Sequence, residues 1–399
     1  MHAQRVCHKI MKNALDWMHT LRRDALNACV LAAIDGRRLS VTGLGRAIDS
    51  PAKEKHCIKR ADRLLSNINL YREYHDIYHT FTRLIVGATH RPVILVDWSD
   101  MDTCKRHFLL RAAIAIEGRS LTLYEEVHTI DTKEKPKAHK ALLKRLKDML
   151  PPGSSPILVS DAGFRTPWFK AIEKMGWDWV GRIRNRHMIK HPENSDWIDC
   201  KTYYQHATKT AKYLGNVQLT RQNPIDCELV IYKGKCKGRV KNNQLGERDR
   251  SAHSKKNADR EREPWLLATS LKVTSKLATQ VVNIYKTRMQ IEEGFRDNKS
   301  LRYGLGFELN QTKNTRRLQM LLLIASLATF VLWILGTMAK QSEQHWQYQA
   351  NTVKDRNVLS VIYLGLRVAN DKRFILYESD ITKAGEALWD TVSAHASQW

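Results

Sequence analysis

The first 85 residues carry apolar side chains at helical spacing. Residues 22–34 place them on one face of a predicted helix, and residues 53–65 repeat the pattern between basic side chains. Ser40 stands where a residue capping another short helix is expected. This pattern predicts a helical N-terminal domain.

A different pattern, typical of alternating strands and helices, begins near residue 92. The apolar run 93–96 ends at Asp97, and two further apolar runs follow on either side of a glycine turn. A helical segment then leads to the apolar run 157–160, which ends at Asp161. This order predicts an α/β unit in which two buried strands each end in an aspartate. Chemistry gathers at such strand ends in α/β proteins.

The α/β pattern is interrupted once, by a polar stretch with a strand predicted near 229–232. The pattern resumes with a strand at 265–270, and one long helix from 275 to about 299 follows. We therefore expect a helical N-terminal domain (1–85), two parts of an α/β core (86–189 and 264–340), a β-rich insertion (190–263) and a helical C-terminal region (341–399).

Residues 320–336 form an apolar run of 17 residues, at the lower edge of the length that spans a membrane. The run contains Ser326 and Thr329, and no second such run occurs in the sequence. We expect a buried core helix here, with a membrane span as the alternative. The N-terminus lacks the apolar segment of a signal peptide.

The composition indicates an intracellular protein with a polyanionic partner. The formal net charge is +25, which fits DNA, RNA or an anionic membrane and does not distinguish among them. The seven cysteines are irregularly spaced and include no CxxC pair, so reduced thiols are expected rather than disulfides or a structural zinc site.

Two basic segments are candidates for contacts with nucleic acid. Lys59, Arg60 and Arg63 lie on the basic face of the helix predicted at 53–65, and DNA binding is favoured over a merely solvated surface. Residues 233–262 contain 11 Lys or Arg against 4 Asp or Glu. For residues 237–256 within this segment, a flexible loop is favoured over a DNA-contacting module.

The helix predicted around 285–299 presents an unusual polar face. At about 100° per residue, Tyr285, Arg288, Glu292 and Lys299 fall within an arc of roughly 60°. A carboxylate among cations suits a site where a divalent metal ion and a phosphate meet. The alternative for this helix alone is an exposed face with ion pairs.

The two aspartates predicted at strand ends indicate a chemical function for the polar face of this helix. Asp97, Asp161 and Glu292 together supply the carboxylates that hold two Mg²⁺ ions. One ion then activates a water molecule or a 3′-hydroxyl group, and the other stabilises the leaving oxygen. The sequence therefore predicts a metal-dependent phosphoryl-transfer site, with these three residues as catalytic and metal-binding residues.

The order of elements and the two aspartates and glutamate resemble the RNase H-like DDE transposases. The YREK spacing, Tyr285-x2-Arg288-x3-Glu292-x6-Lys299, matches one bacterial group of them, the family of insertion sequence four. The resemblance runs from about residue 20 to 370. Three further sequence segments also resemble this family: Val96-Asp97-Trp98-Ser99-Asp100, Asp161-Ala-Gly-Phe164 and Glu263-Pro-Trp265-Leu-Leu-Ala-Thr269.

The resemblance implies roles for further residues. Tyr285, Arg288 and Lys299 would hold backbone phosphates near the cleaved end. Trp265 would stack on a flipped base, with a buried core tryptophan as the alternative. Arg182 and Arg184, which follow a core strand, are candidate phosphate contacts. The insertion resembles the β-rich insertion of the members that form DNA hairpins.

The implied reaction is cut-and-paste transposition that depends on Mg²⁺, with Mn²⁺ as a substitute. Water nicks the element end, the freed 3′-hydroxyl attacks the opposite strand to form a hairpin, water reopens it, and the 3′-hydroxyl then attacks target DNA. The implied partners are double-stranded DNA, as inverted-repeat ends and target, and a second subunit in the DNA-bound complex. The C-terminal region is the candidate for dimerisation, and the expected location is the bacterial cytoplasm, without a membrane.

Three other functions compete with this interpretation. A related nuclease or resolvase would use the same carboxylates for hydrolysis without joining. A DNA-binding protein without enzymatic activity would bind DNA without cleaving it. The intact set of three carboxylates argues against this alternative. A membrane-associated protein would be built around residues 320–336.

Overall fold

The computed structural model of the chain describes residues 2–184, 187–193, 195–235, 251–252, 254 and 262–397. The chain forms two compact units. The first unit consists of Met1–Pro156 and Arg288–Trp399, and the second of Ile157–Thr287. This division into two compact units does not test the five functional segments expected from the sequence. Those segments therefore stay a prediction.

Six helices open the first unit: α1 (His2–Ala14), α2 (Thr20–Gly36), α3 (Val41–Ala47), α4 (Glu54–Leu65), α5 (Ile68–Arg72) and α6 (Tyr74–Val86). The Ser40 side chain caps α3 by accepting a hydrogen bond from the backbone N–H of Gly43. Gly45 lets α3 and α4 approach closely, because a Cβ atom there would lie 2.3 Å from the Cα of Ile58. The helical character predicted for this part of the chain is confirmed.

Three antiparallel strands and a helix follow: β1 (Val93–Asp100), β2 (His107–Ala115), β3 (Ser120–Thr129) and α7 (Pro136–Met149). Strand β2 is buried along its whole length. Strand β1 continues for three residues beyond Asp97, so the prediction that Asp97 ends its strand is wrong. The polar residues after Asp97 continue the strand because they keep pairing with β2 as far as Asp100.

The second unit is built on a sheet of mixed direction. Its elements are β4 (Ile157–Ser160), α8 (Thr166–Glu173), β5 (Asp178–Ile183), β6 (Met188–Lys190), β7 (Ile198–Asp199), β8 (Lys212–Leu219), β9 (Ile225–Tyr232), β10 (Trp265–Thr269) and α9 (Leu277–Thr287). The described strands follow the order β4-β5-β10-β9-β8-β6-β7, with β4 parallel to β5 and the later pairs antiparallel.

The strands of the predicted insertion extend this sheet, because β9 pairs with β10 along all five residues of β10. On β5, Gly181 makes room for Phe169 of α8, since a Cβ atom would lie 2.5 Å from that ring. Phe169 in turn stacks on Trp179 with ring centroids 4.0 Å apart. The basic run predicted as a loop at 237–256 lies outside the described residues, apart from 251, 252 and 254.

Four helices complete the first unit: α10 (Met289–Lys299), α11 (Thr315–Gln341), α12 (Val361–Val368) and α13 (Glu378–Ser397). The prediction of one continuous helix from 275 to 299 is wrong, because α9 ends at Thr287 and α10 begins at Met289. The Thr287 hydroxyl donates a hydrogen bond to the carbonyl of Ile284 at 2.6 Å. Such bonds from a Thr side chain compete with the regular helical ladder and favour a break.

Helix α11 contains the apolar run considered as a membrane span. By length and composition it could cross a membrane, but 83% of its most apolar window is buried within the protein. It packs against α2, α12, α13 and strand β3 of the same unit. The expectation of a core helix is therefore confirmed, since its apolar surface is covered by protein.

An ion pair lies deep in the first unit, between β2 and β3. The side chains of Arg111 and Glu125 are 2% and 0% exposed, and Arg111 Nη2 lies 2.6 Å from Glu125 Oε2. The other carboxylate oxygen of Glu125 accepts hydrogen bonds from the hydroxyls of Tyr78 on α6 and Ser326 on α11. The guanidinium of Arg111 lies 4.8 Å from the ring centroid of Phe295 on α10. This network joins strands β2 and β3 to three helices, α6, α10 and α11.

We expect Glu125→Ala to lower the free energy of unfolding by about 3–5 kcal/mol, because it leaves the Arg111 charge buried without its partner. Urea unfolding followed by circular dichroism measures this change. The control is Glu117→Ala, whose carboxylate is 84% exposed and pairs with Lys340 at 3.7 Å. The control should stay within about 0.5 kcal/mol of the original protein. A similarly small effect for Glu125→Ala would contradict the structural role of the network.

Candidate functional site

Asp97 lies in the middle of β1, and its side chain is nearly buried. It pairs across the sheet with Arg111 of β2, so both side chains lie on the same face of the sheet. One carboxylate oxygen, Oδ1, accepts a hydrogen bond from the backbone N–H of Trp98 at 2.8 Å. The other oxygen is directed toward α10, the helix that carries Glu292.

Arg288 connects Asp97 to Glu292. Its Nη1 donates to Asp97 Oδ2 at 3.3 Å, and its Nη2 donates to Glu292 Oε1 at 2.6 Å. The side chains of Arg288 and Asp97 are each 12% exposed, whereas that of Glu292 is 43% exposed. Two carboxylates nearly 200 residues apart in the chain therefore meet at one guanidinium group.

Lys299, at the end of α10, is tied to the end of β1. Its Nζ donates to the hydroxyl of Ser99 at 2.7 Å and to the carbonyl of Asp100 at 2.6 Å. Burial lowers the pKa of Lys299, the Arg111 charge lowers it further, and Asp100 opposes both effects. The first unit thus contains Asp97, Arg288, Glu292 and Lys299, whereas Tyr285 lies on a separate helix of the second unit. The roles predicted for these residues stay predictions.

Polar contacts at both ends of α10 hold it against the turn between β2 and β3. The side-chain oxygen of Gln290 accepts from the backbone N–H of Ile116 at 2.9 Å, and its carbonyl accepts from Ser120 Oγ at 3.1 Å. Further along, Arg119 Nε donates to Asp297 Oδ2 at 2.6 Å. Burial raises the pKa of Asp297 even though Arg119 opposes the shift. These contacts fix the helix face that carries Glu292 over the strand that carries Asp97.

Asp161 belongs to the second unit, where it directly follows β4. Its Oδ1 accepts a hydrogen bond from the backbone N–H of Gly163 at 2.8 Å, which forms a tight turn before α8. The prediction that this aspartate stands at the end of a buried strand is confirmed, since all of β4 is buried. Its role as a metal ligand stays a prediction.

Trp265 and Tyr285 of the second unit pack against each other. Their ring centroids are 5.0 Å apart in an edge-to-face arrangement, and Tyr232 lies 5.9 Å from Trp265. Tyr285 is 3% exposed, whereas Trp265 keeps part of its surface accessible. Trp265 is therefore not a fully enclosed core residue, and the buried ring of Tyr285 supports it.

Arg182 and Arg184 share the carboxylate of Glu263, a pairing that the sequence pattern does not predict. Arg184 Nε donates to Glu263 Oε2 at 2.5 Å, and Arg182 Nη2 lies 3.9 Å from the same oxygen. Arg182 also donates to the carbonyl of Pro264 at 3.5 Å. The signal for this contact is the acidic residue two positions before Trp265, the first residue of β10.

The predicted basic helix lines a groove of about 620 Å³ in the N-terminal helices. Lys59, Arg60 and Arg63 are all exposed, and Arg60 donates to the carbonyl of Asp24 on α2 at 3.4 Å. The other lining residues, from α2 and α4 and beside them, include one further cation and two histidines: His19, Leu21, Arg22, Ala25, His56, Leu64 and Asn67. We call this feature the basic groove. Its positive charge suits the negatively charged backbone of a nucleic acid.

The described residues contain no group of three or more His, Cys, Asp or Glu side chains placed to hold a metal ion. Within the first unit, however, the positive charge of the Arg288 guanidinium lies between two carboxylates. Carboxylate oxygens are the ligands that Mg²⁺ and Mn²⁺ prefer. The donor set of Asp97 and Glu292 therefore fits a divalent metal ion.

Comparison with known proteins identifies the family. Residues 88–331, more than half of the chain, match the transposase DDE domain, and the chain therefore belongs to the DDE transposases. The mixed α/β fold is compatible with such a core. Proteins of this family process nucleic acid, bind DNA and generally use divalent metal ions. A search of curated proteins found no match.

His139 on α7 provides a test of the packing beside the site. Its Nε2 accepts a hydrogen bond from Trp98 Nε1 at 3.0 Å, which requires a neutral ring. Burial lowers the pKa of His139 to about 4 from its ordinary value of 6.5, and His128 adds to this effect.

We expect the stability of the protein to fall as the pH drops from about 6.5 to 4, because the unfolded chain binds a proton at His139 that the folded chain does not. The contribution of His139 amounts to roughly 3 kcal/mol over this range. His139→Gln retains an acceptor for Trp98 and should flatten the dependence of urea midpoints on pH. His206→Gln, at an exposed position, is the control. Equal slopes for both variants would contradict this assignment.

Proposed function

We propose that this protein is a cut-and-paste DNA transposase. It binds the inverted-repeat ends of its element, cleaves them and joins the 3′-hydroxyl ends to target DNA. The observation that carries this proposal is the meeting of Asp97 and Glu292 at Arg288, within a chain of the DDE family. A buried aspartate on a central strand and a glutamate on a later helix are what a metal-dependent phosphoryl-transfer site requires.

The residues that would hold the metal are Asp97, Asp161 and Glu292. Mg²⁺ ions bound by them, two in each site and replaceable by Mn²⁺, would activate the attacking oxygen and stabilise the leaving oxygen. The protein's own contribution is positioning: the contacts of Gln290 and Asp297 fix α10, and β1 fixes Asp97. This rigidity favours in-line attack by limiting the motion of the reacting groups.

Cations around the carboxylates would hold the DNA backbone. Arg288 and Lys299 stand at the site itself, and partial burial lowers the pKa of Lys299 from its ordinary value. In such surroundings a charge-assisted hydrogen bond to a phosphate is stronger than in water. The YREK resemblance also assigns a phosphate contact to Tyr285, whose side chain is 3% exposed in this structure.

The second unit would handle the DNA strand near the cleaved end. Trp265 combines partial exposure with support from the Tyr285 ring, as a platform for a flipped base requires. A flipped base held in this way would favour formation of the DNA hairpin intermediate in the proposed reaction. Arg182 and Arg184, held by Glu263, would contact phosphates on the same strand.

We place the protein in the bacterial group of insertion sequence four, near the transposases of insertion sequence ten. The YREK spacing and the three sequence segments around Asp97, Asp161 and Trp265 support this placement. Synapsis of two element ends requires two subunits, so a homodimer forms on DNA, with the helical C-terminal region as the dimerisation element. The site of action is the bacterial cytoplasm, without a membrane.

We expect Asp97→Asn, Asp161→Asn and Glu292→Gln each to abolish cleavage while sparing DNA binding, because each removes a ligand charge without removing volume. Labelled duplex carrying the inverted repeats that flank the gene is incubated with Mg²⁺ and resolved on a denaturing gel. The control is Glu308→Gln, outside the site. In the original protein, a nick followed by a hairpin is expected.

Other products would support other functions. Hydrolysis without any joined product would indicate a nuclease or resolvase with the same carboxylates. Binding of the original protein without metal-dependent cleavage would indicate a DNA-binding relative that has lost its chemistry. Loss of DNA binding in all three carboxylate variants would count against the assignment of these residues.

The basic groove gives a separate prediction about binding. Lys59→Ala and Arg63→Ala should each weaken binding of the end duplex, and each should reduce the slope of log affinity against log salt by about 1. Fluorescence anisotropy across a salt series measures both quantities. Arg373→Ala removes an exposed cation paired with Asp371 and should change neither. Unaltered affinity in the groove variants would place end binding elsewhere on the chain.

A further inference from the structure

Arg288 is predicted to contact phosphate, yet its guanidinium is engaged by two carboxylates. Its two terminal nitrogens reach different partners: Nη1 lies 3.3 Å from Asp97 Oδ2, and Nη2 lies 2.6 Å from Glu292 Oε1. Nη2 also lies 3.5 Å from the sulfur of Met289. The planar fork of an arginine can connect two oxygens in this way, whereas a lysine presents a single point charge.

The bridge solves an electrostatic problem of the free protein. Two carboxylates that converge on one point repel each other, and Asp97 is largely shielded from water. A positive charge between them removes the repulsion. A divalent metal ion held by the same two residues would serve the same purpose, so the guanidinium and the metal ion compete for the same oxygens.

The backbone at Arg288 allows the side chain to move without refolding. Arg288 lies between the end of α9 and the first residue of α10, with helical dihedral angles of φ −53° and ψ −33°. Withdrawal of the guanidinium therefore requires a change of side-chain rotamer and no change of backbone conformation.

We propose, on the basis of the proposed function, that Arg288 is an internal counter-ion of the metal site. In the absence of metal it occupies the position between Asp97 and Glu292. When a divalent ion binds there, the guanidinium is displaced and becomes available to a DNA phosphate. Metal binding is then favoured when DNA is present to accept Arg288, which keeps the protein inactive until both partners are bound.

The test is the affinity for Mn²⁺ without DNA, measured by electron paramagnetic resonance of the free ion. Arg288→Gln removes the competing charge and should bind Mn²⁺ roughly tenfold tighter or more than the original protein. Arg288→Lys keeps the charge but cannot bridge both carboxylates, and it should lie between the two. Arg296→Gln removes an exposed cation on the same helix and should leave the affinity unchanged.

A second measurement guards against a folding defect. In the presence of a chelator, Arg288→Gln should melt at a lower temperature than the original protein, because the two carboxylates then face each other without a cation. Saturating Mn²⁺ should remove this difference in melting temperature between the variant and the original protein. An Arg288→Gln variant that folds and binds Mn²⁺ no more tightly than the original protein would overturn the counter-ion role.

Asp97→Asn separates this failure from a failure of the proposed function. If Asp97→Asn abolishes Mn²⁺ binding while Arg288→Gln leaves it unchanged, the metal site stands and only the counter-ion role is lost. If Asp97→Asn binds Mn²⁺ as well as the original protein, the metal site itself is wrongly assigned.

Discussion

The buried carboxylate of Glu125 sets the constraint on which the first unit depends. A charge with no exposure to water must be neutralised and hydrogen-bonded, and Arg111, Tyr78 and Ser326 together do this. Meeting that requirement fixes two helices against the sheet. Because Arg111 also lies beside Asp97 in the sheet and beneath Phe295 of α10, the same network places the two elements of the site.

Charge is distributed around that site in a way that suits a polyanionic substrate. The carboxylates of Asp97 and Glu292 are balanced by Arg288, and Lys299 is held nearby on β1. Each cation is largely withdrawn from water, so each interacts strongly with whichever anion lies closest. In the free protein, two carboxylates pair with Arg288, and the Ser99 hydroxyl and the Asp100 carbonyl accept hydrogen bonds from Lys299.

Several features of the site were readable from local sequence, and others were not. Asp161 follows a run of four apolar residues, and Arg288 and Glu292 are four positions apart, so their placement follows from strand and helix geometry. Arg111 and Glu125 were passed over, although a charged residue inside an apolar strand signals a buried partner. The end of the apolar run at Asp97 does not mark the end of the strand, because Trp98, Ser99 and Asp100 continue to pair with β2.

The sequence by itself determined the kinds of elements and their order, because apolar periodicity acts over a few residues and imposes a helix or strand wherever it occurs. It also indicated the DDE transposases, the family that the match over residues 88–331 shows. Only the tertiary structure decided which partners these residues have. The contacts from Arg288 to Asp97 and from Lys299 to Ser99 join residues about 200 positions apart. No local pattern encodes such contacts, because they arise when packed elements bring distant charges into a region where water cannot neutralise them.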